Sequence, residues 1–329
     1  MTRLRVLIWH IHGSYLNSLA RVDHDWFLPV KTGKPEGYGG RGPTFDLPPN
    51  MREIPAAEVA LHDYDAVVLQ TPRNLHDDLP ALLGERRHEP ALLYLEHNVP
   101  RPDAVNTRHP FADGDHDGLL VHVTAYNQLM WDTGDLPTRV IEHSVAIDPA
   151  ITWDGALPRG ITVTNGMQGR PRITGLDLFE RARREVPLDV VGMQTEALGG
   201  LGDVPYRDLH RLTARYRFLY SPMRYTSLPL AVVEAMTIGM PVVALGTTAL
   251  PEVIEHGDNG FIAQDPARLI PLMQQLIAEP ELAQRMGAAA RETARARFGL
   301  PRFAAEWDAA LREAVALKGR SRRAVGAAS

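Results

Sequence analysis

Residues 221–260 read SPMRYTSLPLAVVEAMTIGMPVVALGTTALPEVIEHGDNG. Pro222 and Pro229 bracket a short polar loop, and Leu230, Val232, Val233, Ala235 and Met236 then predict an apolar helix carrying one carboxylate, Glu234, near its start. Gly239 ends that helix, Met240-Pro241 turns the chain, and residues 242–245 have the unbroken apolar character of a strand buried on both faces. Pro251 opens the next helix at its first turn, and Asn259-Gly260 closes it with a tight turn. A buried strand set between helices is the building block of a parallel sheet.

Outward from this stretch the same alternation continues. Strand-length apolar runs fall at 4–9, 66–69, 91–95, 119–123 and 140–141, and a second set falls at 161–164, 188–191, 216–220 and 242–245. Helix candidates such as 176–186 and 206–214 lie between them. The pattern predicts an α/β protein with two doubly wound halves. Proline, glycine and polar residues break both periodicities over 148–159, which places the boundary there. Leu269, Leu272, Met273, Leu276 and Ile277 share one helix face, and 302–317 is a further helix. The expected domains are therefore 1–150, 151–300, a last helix over 301–318 and a flexible basic tail over 319–329. Residues 31–49 carry six glycines or prolines in their first twelve positions and predict a long loop, either at a mouth or acceptor site or as a flexible insertion.

With 329 residues, 44% of them hydrophobic and 23% charged, the chain suits two globular domains. A net charge of -5 argues against nucleic acid as the main partner, since phosphate neutralisation wants a basic surface. The absence of cysteine removes disulfides, cysteine nucleophiles and thiolate metal sites. The N-terminal residues read as a first strand entering a glycine turn, without the flanks of a signal peptide, and no uninterrupted apolar run reaches the ~18 residues of a membrane span. A cytoplasmic protein is expected, with peripheral membrane contact left open.

Pro222, Glu234-Ala235-Met236, Gly239, Pro241-Val242-Val243, Pro251-Glu252-Val253 and Asn259-Gly260 together resemble, in order, the donor-binding segment of the family 4 retaining glycosyltransferases, the group that includes glycogen synthase and phosphatidylinositol mannosyltransferase. Residues 65–70, 94–98, 121–126 and 139–148 follow the order of that family's first domain. The resemblance implies the GT-B architecture: two facing Rossmann-like domains with a deep cleft, the donor held mainly by the second, the acceptor by the first, and a last helix crossing back. It also implies that Glu234 holds the nucleotide ribose, a role suited to a carboxylate that accepts two hydrogen bonds from a vicinal diol.

Three departures from the family stand out. A glutamate usual eight positions before Glu234, contacting the transferred sugar, is Thr226 here. The usual glycine-phenylalanine-glycine is Ser227-Leu228-Pro229, which keeps two backbone N–H groups ahead of a helix but loses the third. The family's lysine-glycine pair is Thr174-Gly175, so Arg170 and Arg172 become the expected partners of the diphosphate. Gly13 would let the backbone approach the leaving phosphate. His97, at the end of an apolar strand, is expected to hydrogen-bond the transferred sugar, with Glu96 as its competitor. His10 and His12 alternate on what reads as one strand, but no third ligand is evident and no metal site is expected.

The expected activity is transfer of a hexose from a UDP- or GDP-sugar to a hydroxyl acceptor, whether glycan, lipid-linked or small molecule. Anomeric configuration is retained, and neither metal nor cofactor takes part. Alternatives are a nucleotide-sugar epimerase of the same architecture, or a non-catalytic nucleotide-sugar or glycan-binding protein, which the loss of the first glutamate and the lysine suggests.

Overall fold

The computed structural model describes residues 2–114 and 116–328, with side chains as far as residue 320. The chain divides into two units, Met1–Ser144 with Leu300–Ser329, and Val145–Gly299.

The first unit is built on seven parallel strands: β1 (Arg5–Ile8), β2 (Asp25–Val30), β3 (Met51–Pro55), β4 (Ala66–Leu69), β5 (Ala91–Glu96), β6 (Leu119–His122) and β7 (Thr138–Val140). Their order is β3-β2-β1-β4-β5-β6-β7, with every adjacent pair parallel. Among the described residues three α-helices intervene: α1 (Gly13–Leu19), α2 (Leu79–Leu83) and α3 (Ala125–Met130). Val6, Leu7, Ile8 and all of β4 are fully buried, which is why these strands read as unbroken apolar runs. α3 starts where the hydroxyl of Thr124 accepts the N–H of Asn127.

β2 and β3 were not expected. Pro29 lies inside β2, and a proline normally argues against a strand because it cannot donate to the ladder. Here β1 pairs only with Asp25–Phe27, so Pro29 interrupts no bond on that side. β3 is an edge strand with three of its five residues exposed, and gives no continuous apolar signal. The loop 31–49 between them is long, as expected, and it is anchored. Tyr38 is fully buried, its hydroxyl donates to Asp78 at 2.7 Å, and the Lys31 ammonium sits 3.7 Å from its ring centre.

The second unit holds β8 (Leu157–Val163), α4 (Pro171–Thr174), α5 (Leu176–Ala182), β9 (Leu188–Val191), α6 (Tyr206–Thr213), β10 (Tyr216–Ser221), α7 (Leu230–Ile238), β11 (Val242–Leu245), β12 (Gly260–Ala263), α8 (Leu269–Ala278) and α9 (Pro280–Arg297). Its five parallel strands run β12-β11-β10-β8-β9. Phe179, Phe218, Tyr220, Val243, Leu269 and Met273 share one core. α7 ends at Gly239, whose φ of 88° is the left-handed cap that glycine favours. The helix expected at Pro251 is only a single tight turn, Leu250–Glu252. Beyond it the side chain of Asn259 accepts from the Glu255 N–H and donates to the Val253 carbonyl, holding a loop that leads into β12.

The last helix, α10 (Leu300–Ala328), follows the second unit in sequence but belongs to the first. Phe303 and Trp307 are fully buried, Trp307 donates to the Tyr15 hydroxyl at 3.0 Å, and Arg302 donates to the carbonyls of Glu142 and His143, each at 2.9 Å. The backbone is helical to Ala328, while the tail expected over 319–329 lies almost wholly outside the residues whose side chains are described.

Candidate functional site

Counted along the second unit, its sheet has the order 2-1-3-4-5, so the strand order reverses between β8 and β10. In open parallel sheets, ligands bind beyond the carboxyl ends of the strands flanking such a reversal. The loops leaving β8 and β10 meet there. Gly175 has a φ of +77°, and a Cβ on it would fall 2.1 Å from the Pro222 carbonyl oxygen. The Arg224 N–H donates to the Ile173 carbonyl at 2.9 Å.

The cations expected for a diphosphate are both at this edge, in different states. Arg170 is exposed and donates to the Asn165 carbonyl at 3.3 Å. Arg172 pairs with Asp177 at 3.2 Å. A third cation, Arg224, grips the same carboxylate through two parallel bonds of 2.6 and 2.7 Å. Arg224 in first place, with Arg172 adding to it, holds the Asp177 carboxyl below its ordinary range. Thr174 does not replace the missing lysine. Its hydroxyl is buried and donates to the carbonyls of Met167 and Arg170, at 3.0 and 2.9 Å. Arg224 lay in plain view within the opening stretch, two residues past Pro222, but its partner is 47 positions away and leaves no local signal.

The loop before α7 is clamped from the other side. The hydroxyls of Thr247 and Thr248 donate to the carbonyls of Met223 and Ser227, each at 3.0 Å. Thr248 does so from a φ of 51°, a left-handed conformation costly for a β-branched residue. The side chains of Ser227 and Leu228 are buried and Thr226 is half-buried beside them, so what this turn presents to a ligand is chiefly backbone.

Glu234 lies in the second turn of α7 rather than near its start. Only 7% of it is exposed. A buried carboxylate needs hydrogen-bonding partners, and α6 supplies one: the Tyr206 hydroxyl donates to Oε1 at 3.0 Å, while His210 Nε2 stands 3.6 Å from Oε2, beyond hydrogen-bond reach.

In the first unit the strand order reverses between β1 and β4, and His97 follows the neighbouring β5 directly. Its ring meets His12 edge-on with centroids 4.1 Å apart and Tyr15 at 4.8 Å. His97 Nε2 is 3.3 Å from Oε1 of Gln70, whose amide donates to the Trp9 carbonyl at 2.8 Å. Burial, with the neighbouring His12 and His143, pushes the His97 pKa well below its ordinary value, and burial alone pushes His12 down to about 4. Both are neutral at pH 7 and act as hydrogen-bonding groups. Glu96 is not an equivalent candidate: it is buried, it accepts from the Asn98 N–H at 2.6 Å, and it faces His109 Nε2 at 3.0 Å.

Two expectations change. His10 and His12 do not alternate along a strand, because β1 ends at Ile8. His10 Nδ1 is 2.6 Å from the Gly40 carbonyl oxygen, while His12 precedes α1 and packs on His97. Among the described residues no group of three potential ligands has metal-binding geometry. Gly13 opens α1, but the space beside it is filled: a Cβ there would lie 2.3 Å from the Phe45 ring.

Residues 195–293 match the family described as Glycosyl transferases group 1. Over 84 residues the chain is 31% identical to N-acetyl-alpha-D-glucosaminyl L-malate synthase of Bacillus anthracis, covering 25% of this chain and 22% of that one. Over 66 residues it is 46% identical to O-antigen chain mannosyltransferase B of Escherichia coli, covering 20% and 16%. The chain thus spans about a fifth of the length of the curated relatives it matches. Among solved structures, the Anabaena protein Alr3699/HepE, crystallised with UDP and glucose, aligns with a TM-score of 0.70 at 17% identity, covering 94% of this chain and 100% of that one. Sucrose-phosphate synthase from Thermosynechococcus elongatus aligns with a TM-score of 0.69 at 15% identity, covering 99% and 100%. The fold is GT-B: two Rossmann-like units and a long C-terminal helix.

Proposed function

We propose that this protein is a retaining, metal-independent glycosyltransferase that moves a hexose from a nucleoside diphosphate sugar, with UDP or GDP as the carrier, onto a hydroxyl acceptor. The observation that carries the reading is the convergence, at the β8/β10 reversal, of Arg170, Arg172 and the turn before α7, with Glu234 in the helix that follows. The matched stretch at 195–293 includes that turn and helix, and the similar Anabaena protein was crystallised with UDP and glucose.

In this reading Glu234 takes the ribose diol and the two arginines neutralise the departing diphosphate. Backbone N–H groups at Thr226, Ser227 and Leu228 meet the donor, and the acceptor attacks from the leaving-group face without a protein nucleophile. His97, held neutral, donates or accepts one hydrogen bond at the transferred sugar. Gly13, with the Phe45 ring packed where a side chain would stand, offers its backbone to the leaving phosphate.

The test is a panel of UDP- and GDP-hexoses screened for thermal stabilisation, followed by incubation with hydroxyl acceptors and NMR assignment of the anomeric centre. Saturation at a hundred times the dissociation constant adds about 2.7 kcal/mol of stability. A glycoside of retained configuration is the expected product. Conversion of the sugar without acceptor indicates an epimerase. Stabilisation without turnover favours a binding protein, the second reading, which the inward-turned Thr174 hydroxyl supports.

A further inference from the structure

α6 places Tyr206 and His210 one turn apart on a single face, with their rings edge to face at 4.7 Å, and both are aimed at Glu234. His210 is almost wholly buried and its Nε2 has no hydrogen-bond partner among the described residues, standing 3.6 Å from Glu234 Oε2. Tyr206 is half-buried and is the residue that bonds the carboxylate. A carboxylate offers about four lone-pair directions. The Tyr206 hydroxyl uses one on Oε1, and 3.6 Å is too long for His210 to use one on Oε2. About three acceptor positions therefore remain, enough for the two that a vicinal diol requires, and their direction is set by the tyrosine.

We infer that Tyr206 is a positioning residue for ribose recognition. It holds the Glu234 carboxylate in the orientation that reads the diol, with the buried edge of His210 as the opposing wall. Without the phenol bond the carboxylate turns about its last torsion, a broad and weakly constrained one, and the two acceptor positions no longer match the spacing of the hydroxyls. The inference rests on the assignment of Glu234 to the ribose made above. It adds that selectivity for ribose over deoxyribose is set partly from α6, by a side chain outside the motif that contains Glu234.

Isothermal titration of wild type, Tyr206→Phe and Glu234→Gln with UDP, GDP and their 2′,3′-dideoxy forms tests this. Tyr206→Phe keeps the ring and its packing, so affinity for the dideoxy nucleotide should stay at the wild-type value, and melting temperature should fall only by what one lost hydrogen bond implies. The ratio of ribo to dideoxy affinity should fall about fivefold, the scale of one lost hydrogen bond. A ratio unchanged in Tyr206→Phe but reduced in Glu234→Gln overturns the role of Tyr206 and leaves the ribose assignment standing. A ratio unchanged in Glu234→Gln, or no binding of either nucleotide to wild type, overturns the ribose assignment and this inference with it.

Discussion

Gly175 and Pro222 touch across the two strands where the second sheet reverses: the Pro222 carbonyl oxygen occupies the place, 2.1 Å away, where any Cβ on Gly175 would have to sit. Two constraints act on this one residue, a left-handed φ and a contact that admits no side chain. Because the loops it joins carry Arg170, Arg172 and the turn before α7, damage here should register in both stability and nucleotide binding. Gly175→Ala is expected to cost about 2 to 4 kcal/mol, the scale of overpacking plus a strained φ. Urea unfolding measures it, and a loss below about 0.5 kcal/mol would mean that the loops part easily.

Asp177 is shared by Arg172 and Arg224, so its charge competes with any phosphate for both. Asp177→Asn frees the two guanidinium groups, and nucleoside diphosphate should then bind more tightly at low salt, by a factor that shrinks as ionic strength rises. Titrations at two salt concentrations check the direction. Weaker binding would mean that the carboxylate is needed to hold Arg224 in place.

His97→Ala should lower turnover about tenfold, the scale of one hydrogen bond to the transferred sugar, while leaving affinity for the free nucleoside diphosphate unchanged. Steady-state rates and nucleotide titration on the same variant separate the two effects. Equal losses in both would mark His97 as structural.

His122 is fully buried in β6 and neither ring nitrogen has a partner among the described residues. Burial, followed by His109, pushes its pKa from 6.5 down to about 3. A depressed histidine takes up its proton in the unfolded chain first, so stability is complete above pH 6.5 and drains away as the pH falls towards 3. His122→Leu should be nearly neutral at pH 8 and should spare on the order of 2 kcal/mol at pH 5. Thermal unfolding at the two pH values would show equal pH dependence in both proteins if the ring is protonated in place.

Much of the fold was legible because a strand buried on both faces announces itself: β4, β9 and β11 fall on the residues their apolar runs indicated. β3 was hidden by its exposed edge, and β2 by a proline that lies beyond the residues paired with β1. At the candidate site, Glu234 could be singled out because it lies in a short ordered motif, and Arg170 and Arg172 because they are the cations of the loop that lacks the family's lysine. The Arg224–Asp177 pair and the Tyr206–Glu234 bond could not, since each joins elements whose facing is decided by packing rather than by spacing along the chain. Phe45 against Gly13 was out of reach for the same reason, coming from a loop with no periodicity of its own.

The central claim, a nucleoside diphosphate site at the β8/β10 reversal, is tested most directly by calorimetric titration of UDP, GDP and their nucleosides into wild type and the Arg170→Ala/Arg172→Ala double variant. The account predicts that one diphosphate binds the wild type, that the double variant binds it at least about tenfold more weakly, as loss of charge-assisted hydrogen bonds requires, and that the nucleoside hardly distinguishes the two proteins. Equal dissociation constants for the diphosphate in wild type and variant would contradict it.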